Sequence, residues 1–532
     1  MPPGWLFHLS IVYAIGLQYI HAHRFEPAHL LPAEPLLRNP SGPLGSPGMT
    51  NHREPVPQLT AARDFSERGC ADLRRAASQL LPRRKVLQAG GLGLLGLGLP
   101  QFMSARALAS GSTLGRPAGF GKAKRCIFLF MWGGPSQLDT FDLKPGAPRE
   151  IRGPFKPIAT KVPGFQICEH FKHLSKVTDK LAVVRSLHHT DPAHLSSGHT
   201  TLTGHLAPKI NSDAEPPSDR DTPHLGSMLA YLRGGDGTLP PFVTLPWMAY
   251  HPAAPGGKAP GQHGGFLGHK YDPLLITGDP NAPNWRVQEL SLADGVSYDR
   301  IDSRHQLLGE IDRQRAEIAS ADMTGIKQQA FGLLASQDSR KAFDLSQEPD
   351  SVRDRYGRNI HGQCVLLARR LVEHGVPLVS INWHNDGRNF WDTHGANFSR
   401  LQNELIPPAD QALSALLEDL DQRGLLDETI VAWVGEFGRR PQIDGGNAAD
   451  GGRAHWPFCY SGLLAGGGVR GGAIFGESDR HAAHPLESPV SPQDYAATLM
   501  HALGIGAETT LADRLGRPIP AYQGTPMTSL FG

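Results

Sequence analysis

PLVSINW at residues 377–383 and TIVAWV at residues 429–434 decide how the rest of the chain reads. Each is a continuous apolar run without polar alternation, the pattern of a strand buried on both faces. Between them Pro407-Pro408 can open a helix. Ala412, Leu413, Leu416, Leu417 and Leu420 then line one face at helical spacing, and Gly424 ends it. Strand, helix and strand in that order predict parallel strands joined by a crossover helix. Working outward, RCIFLFMW at 125–132 and LAVVR at 181–185 have the same character. The expected fold class is therefore α/β, with a mostly parallel central sheet sandwiched by helices.

The stretch 206–300 breaks this rhythm. It holds PPFVTLPW, HPAAPGGKAPGQHGG and DPNAPNW, dense in Pro and Gly, and reads as an irregular cap insertion over the sheet. Helical patterns return over 303–370, ending in CVLLARRLVEHG ahead of the 377–383 strand. No internal repeat is visible. The expected organisation is an amino-terminal extension and signal region over 1–110, followed by one domain over 120–532.

Composition narrows the function classes. Lys plus Arg number 52 against 51 Asp plus Glu, a balance that offers no basic field for nucleic acid. Charged residues at 19%, with 61 Gly and 45 Pro, describe a loop-rich globular chain. The 25 histidines stand out, many of them in loops between apolar runs, where imidazole serves as ligand or acid–base group. Cys70, Cys126, Cys168, Cys364 and Cys459 show no CxxC spacing, which excludes a zinc knuckle or thioredoxin-type site. Sequence alone cannot pair them.

A leader pattern begins at PRRKVLQAGG. Arg83, Arg84 and Lys85 form a charged region, a Gly/Leu run follows over 89–99, and Ala107-Leu108-Ala109 supplies a small-residue cleavage pattern. The run is too short and glycine-rich to span a membrane, so no stable membrane span is expected in the mature chain. The twin arginine resembles a Tat leader, which implies the Tat export machinery as a partner and a periplasmic or secreted location. Because leaders start near the initiator, translation is expected to begin at Met49 rather than Met1.

Each apolar run is followed by a polar cluster, and in open α/β sheets ligands bind beyond the carboxyl ends of strands. GGPSQLDTFDLKP follows the first run, with Asp139 and, as runner-up, Asp142. HHTDPAHLSSGHTTLTGH follows the second. HNDGRNFWDTHGAN follows the third, with Asp392 and His394 two apart beside Gly395, and His384 and Asp386 as further candidates. Glu436 in GEFG follows the fourth, then His455 in GGRAHWP. Asp, Glu and His are the ligand set of zinc, manganese or mixed divalent sites. Asp139, Asp392, His394, Glu436 and His455 are accordingly the expected metal ligands, with Zn, Mn or Ca as the ion and its count, one or two, open.

The motifs GGPSQLDTFDLKP, LTGH, FLGHKYDP, RDRYG, LARRLVEHGV, WDTHGAN, GEFGRRP, HWP and DRLGRPIP together resemble the bacterial domain-of-unknown-function family numbered 1501, itself similar to the alkaline phosphatase and sulfatase superfamily. The resemblance runs from about residue 124 to the end. It implies the ordered set of an Asp/His pair, a long helix, an acidic ligand at a strand end and a later histidine, met here by Asp392 and His394, the helix from Pro407, Glu436 and His455.

Two departures qualify it. HLSSGHTTLTG overlays the sulfatase nucleophile pattern through Thr203-Gly204, placing His194 at the nucleophile position and Gly198 at that of the arginine. Formylglycine chemistry is therefore not expected. His194, Ser196 and Ser197 remain the catalytic candidates, with His194 as ligand or direct acceptor. For the serines a helix-start anion role competes with simple helix capping. The second departure is at the first strand, where the superfamily places an Asp pair and this chain has Trp132-Gly133-Gly134, so Asp139 would have to fold back. His199 and Arg439 are further acid–base and oxyanion candidates.

The function expected is an exported metal-dependent hydrolase of phosphate or sulfate esters, acting on a small-molecule or glycan ester. The alternative is a non-catalytic binding protein for sulfated or phosphorylated glycans on the same fold.

Overall fold

The computed structural model describes residues 117–532 apart from 235–238, 252–256, 288–299, 301–302, 305–306, 308–332, 334–335, 384–389 and 446–450. The leader, the Met49 start, His384 and Asp386 lie outside the described residues.

The main sheet comprises β1 Arg125–Met131, β2 Leu181–Leu187, β3 Phe242–Leu245, β4 Leu274–Leu275, β5 Leu378–Trp383, β6 Thr429–Val434, β7 Tyr460–Ala465 and β8 Ile474–Phe475. Their spatial order is β8-β2-β7-β6-β1-β5-β3-β4. The central strand β1 runs parallel to both neighbours, with Cys126 facing Leu378 of β5 and Ile430 of β6. The pairs β5–β3, β3–β4 and β2–β8 are also parallel, whereas β7 is antiparallel to β6 and to β2. The sheet is thus mostly parallel, as the apolar runs imply.

Five helices of nine residues or more cover it among the described residues: α1 His194–Thr203, α2 Leu225–Arg233, α3 Ile360–Glu373, α4 Ile406–Gln422 and α5 Pro492–Ala502. The two-residue side-chain period of a strand sorts them into layers. Ile127, Leu129 and Met131 of β1 join one core with Leu366 and Leu367 of α3 and Leu413 and Leu416 of α4. Cys126, Phe128 and Phe130 join the other with Leu195 of α1, Met228 of α2 and Met500 of α5. Both faces are therefore covered, which is why β1 is apolar from Cys126 to Met131.

The stretch 206–300 is more integrated than an irregular cap. It supplies α2 and the strands β3 and β4 at one edge of the sheet, and short 3-10 turns at Gly265–Leu267 and His269–Tyr271. Cys126, Cys168, Cys364 and Cys459 are all buried free thiols. Among the described residues no helix is long and apolar enough to cross a membrane.

Candidate metal centre

Because β1, β2, β5 and β6 point the same way, the segments that leave them emerge on one edge of the sheet. After β1 the chain turns through Gly133 and Gly134, with φ of 103° and 75°. These are left-handed values that a side chain resists. A Cβ on Gly133 would also overlap the Asp392 backbone nitrogen. The glycine pair thus lets the segment carrying Asp392 and His394 pack directly against the end of β1.

His194 is the first residue of α1. Its Nδ1–H donates to Glu436 Oε1 at 2.6 Å, and Gly133 N–H donates to the same oxygen at 2.8 Å. The bond to the carboxylate leaves His194 Nε2 for the other side, where it stands 3.4 Å from Asp392 Oδ2. His455 is oriented in a similar way: its Nδ1 bonds the Pro192 carbonyl at 2.8 Å, and its Nε2 stands 3.2 Å from Asp392 Oδ1. His394 Nε2 lies 3.1 Å from Asp392 Oδ1 and 2.8 Å from His455 Nε2.

Three imidazole nitrogens therefore converge on one carboxylate. In a tetrahedral zinc site with Zn–N near 2.0–2.1 Å, ligand atoms are separated by roughly 3.3 Å, and the separations here of 2.8 to 3.4 Å bracket that value. His194, Asp392 and His455 offer ligand atoms mutually close enough to hold an ion. The two anchored Nδ1 groups match the outer-layer partners that fix metal-binding histidines. The residues present fit a divalent metal.

The electrostatics follow from the same contacts. Burial alone would pull the His194 pKa down, but bonds to Asp392 and Glu436 outweigh it and raise it to about 9. Burial would raise Asp392, yet the three histidines and Arg439 hold its carboxyl far below the usual carboxylate range. Burial keeps His455 below the ordinary histidine value.

The other expected residues are placed differently. Glu436 is fully buried and joins the centre through His194, one step behind the converging nitrogens. Its Oε2 is buried without a hydrogen-bond partner among the described residues. Asp139 does not fold back to the cluster. Its carboxylate is taken up by Arg453 Nε at 2.8 Å and Nη2 at 3.1 Å, by Asn397 Nδ2 at 2.9 Å and by Ser136 Oγ at 2.6 Å. Both oxygens are engaged by Arg453 and its neighbours away from the histidines, so its expected role as ligand is corrected to that of a buried counter-charge. Asp142 is likewise engaged, by Lys144 at 3.0 Å and by Ser478.

The serines are also turned away. Ser197 Oγ donates back to the Ala193 carbonyl of its own helix, and Ser196 Oγ accepts from Ser212 N–H at 3.1 Å. Neither contact presents a hydroxyl to the histidines. Of the three catalytic candidates only His194 touches the cluster. His199 is buried, its ring nitrogens without hydrogen-bond partners of normal geometry among the described residues, and burial lowers its pKa to about 4.

Sequence reasoning missed several neighbours. Phe437, Phe390 and His251 place their rings 4.9, 5.8 and 5.4 Å from the His194 ring centroid. The position of Phe437 beside Glu436 was a usable signal; His251, in the Pro/Gly-rich stretch, gave none. Arg453 stood in plain view two residues before His455, but nothing local pairs it with Asp139.

No curated protein matches this sequence significantly. Among similar solved structures is the PsFucS1 sulfatase from Pseudoalteromonas sp., at 13% identity and a TM-score of 0.35 over 81% of this chain and 75% of that one. A protein in the alkaline phosphatase superfamily from Vibrio parahaemolyticus gives 12%, 0.30, 74% and 70%. The phosphonate monoester hydrolase SpPMH from Silicibacter pomeroyi gives 11%, 0.29, 72% and 73%. At these identities and scores none of the three bears on the chemistry of this centre. The model of the family described as protein of unknown function (DUF1501) matches residues 123–531, and the chain belongs to that family.

Proposed function

We propose that this protein is a metal-dependent hydrolase of phosphate or sulfate esters. The observation that carries the reading is the convergence of His194, His394 and His455 Nε2 on the Asp392 carboxylate at the carboxyl edge of the sheet. His194, Asp392 and His455 would hold the ion, with His394 beside them at Asp392 Oδ1, and with Glu436 and the Pro192 carbonyl fixing two of the rings. A donor set of two imidazoles and one carboxylate, with a third imidazole beside it, favours zinc or a similar transition metal over calcium, which takes six to eight oxygens. Such an ion, when bound, supplies Lewis-acid polarisation of an ester oxygen. The chain itself contributes Arg439, which fixes Asp392, and the rings of Phe390, Phe437 and His251 around His194.

The substrate class, a small-molecule or glycan ester, is part of this proposal. So are export through the Tat machinery, suggested by Arg83-Arg84, and a periplasmic or secreted location. The test is turnover of aryl phosphate and aryl sulfate panels by metal-loaded protein, with Asp392→Ala as control. Activity that survives Asp392→Ala unchanged rejects the centre.

A second reading, a binding protein for sulfated or phosphorylated glycans, is favoured by one observation: the hydroxyls of Ser196 and Ser197 are engaged elsewhere. A chain that binds such a glycan without turnover in any metal form would support it.

A further inference from the structure

Arg439 is fully buried, and its guanidinium is held from three sides. Nε donates to the Gly134 carbonyl at 3.0 Å, Nη1 to the Arg453 carbonyl at 3.2 Å, and Nη2 to the Gly133 carbonyl and to Asp392 Oδ1. The main chain of the same residue is locked by Gln137, whose side chain both accepts from Arg439 N–H at 2.9 Å and donates to its carbonyl at 2.9 Å. This cation cannot withdraw. Three carbonyls fix it, and an arginine stays charged even when buried.

Most carboxylate oxygens around it are already engaged. Asp392 Oδ1 already receives Arg439, His394 and His455. Asp139 is neutralised by Arg453. Glu436 Oε1 is bound by His194 and by Gly133 N–H, which leaves the buried Glu436 Oε2, and Asp392 Oδ2 facing His194 Nε2 at 3.4 Å, as the least engaged oxygens of these acids among the described residues. A second divalent ion would need three or four donors of its own and would sit beside a positive charge that cannot move.

We propose that Arg439 acts as a positioning residue that supplies, as a fixed guanidinium, the charge a second metal would otherwise bring, so that the centre takes a single divalent ion. This rests on the metal-dependent reading above and settles the ion count for it. Arg439 both aims the Asp392 carboxylate at the histidines and excludes a partner ion from it.

The test is zinc stoichiometry of the whole, tag-free chain by elemental analysis and calorimetric titration, with folding monitored by circular dichroism. Wild type is expected to bind one zinc per chain even at saturation. Arg439→Lys, which keeps the charge, is expected to stay at one, whereas Arg439→Gln, which removes it, is expected to admit a second, weaker ion. Two ions in the wild type overturn the inference and leave the hydrolase reading standing. No zinc in the wild type overturns both. A folded Arg439→Gln that remains at one ion overturns the exclusion. If that variant does not fold, the wild-type and Arg439→Lys titrations still decide, because a second ion in either rejects the proposal.

Discussion

His394 Nε2 and His455 Nε2 face each other at 2.8 Å. Two neutral imidazoles meet at that distance only if one nitrogen carries the hydrogen, so in the absence of an ion a proton must bridge them. A metal at the proposed centre would compete with that proton for the same seat.

The first prediction concerns that competition at His194, whose pKa is raised to about 9 from an ordinary 6.5. A raised base stabilises the fold fully below the unfolded value and loses that contribution as pH climbs through about 9. For metal-free protein the loss is on the order of 3 kcal/mol. Urea midpoints of chelator-treated protein at pH 6 and pH 9.5 measure it, and His194→Gln is expected to remove most of the difference. Zinc affinity is expected to move the opposite way, rising with pH as the proton leaves.

Acid should act through other histidines. Burial lowers His199 to about 4 and His224 to about 3. A depressed base is protonated in the unfolded chain first, so stability falls as pH drops below about 6.5. Two such groups give a slope of up to about 3 kcal/mol per pH unit between pH 6 and 4. His199→Leu is expected to reduce that slope by about one proton's worth. An unchanged slope would place the acid sensitivity elsewhere.

Glu436→Gln keeps the shape of the side chain but weakens its hold on His194 Nδ1. Loss of such an outer partner typically lowers metal affinity by about 10–100-fold. Calorimetric titration with zinc would show it. An affinity within twofold of wild type would mean that Glu436 does not orient the ring.

Asp139 and Arg453 form a fully buried ion pair. Arg453→Met strands the Asp139 charge, and breaking one side of a buried pair costs about 3–5 kcal/mol. Asp139 also binds Asn397, whose side chain accepts from Thr393, the residue between Asp392 and His394. The variant is therefore expected to weaken zinc binding as well as shift the denaturation midpoint.

Gly452 gives a steric prediction. A Cβ there would collide with the His394 backbone carbonyl. Gly452→Ala must displace the loop that carries His394, at a cost of about 1–3 kcal/mol, with a measurable loss of zinc affinity.

The strands β1, β2, β5 and β6 and the helix α4 were legible because each is a long apolar run or a clear helical stripe. The strand β3 was hidden: FVTL is four residues long between prolines and derives its identity from pairing with β5. The antiparallel β7, YSGLLA, carries a Ser and a Gly and reads as loop without its neighbours. At the centre, the meeting of residues 194, 392, 394 and 455 could be anticipated from strand ends. The fate of Asp139 could not, because its partner Arg453 lies 314 residues away and only packing reveals that the two meet. Ser196 and Ser197 show the same limit: a helix-start hydroxyl can turn outward or back onto its own turn, and sequence does not say which.

The anchoring of His455 on the Pro192 carbonyl spans 263 residues. An emerging polypeptide thus carries isolated imidazoles with nothing to chelate, and a high-affinity seat arises only when the last strands dock. Acquisition of an ion at the proposed centre would then be a late event, governed by whichever ionic pool surrounds the finished molecule. The compartment in which the fold closes, more than the intrinsic ranking of ions for nitrogen donors, would decide the occupant.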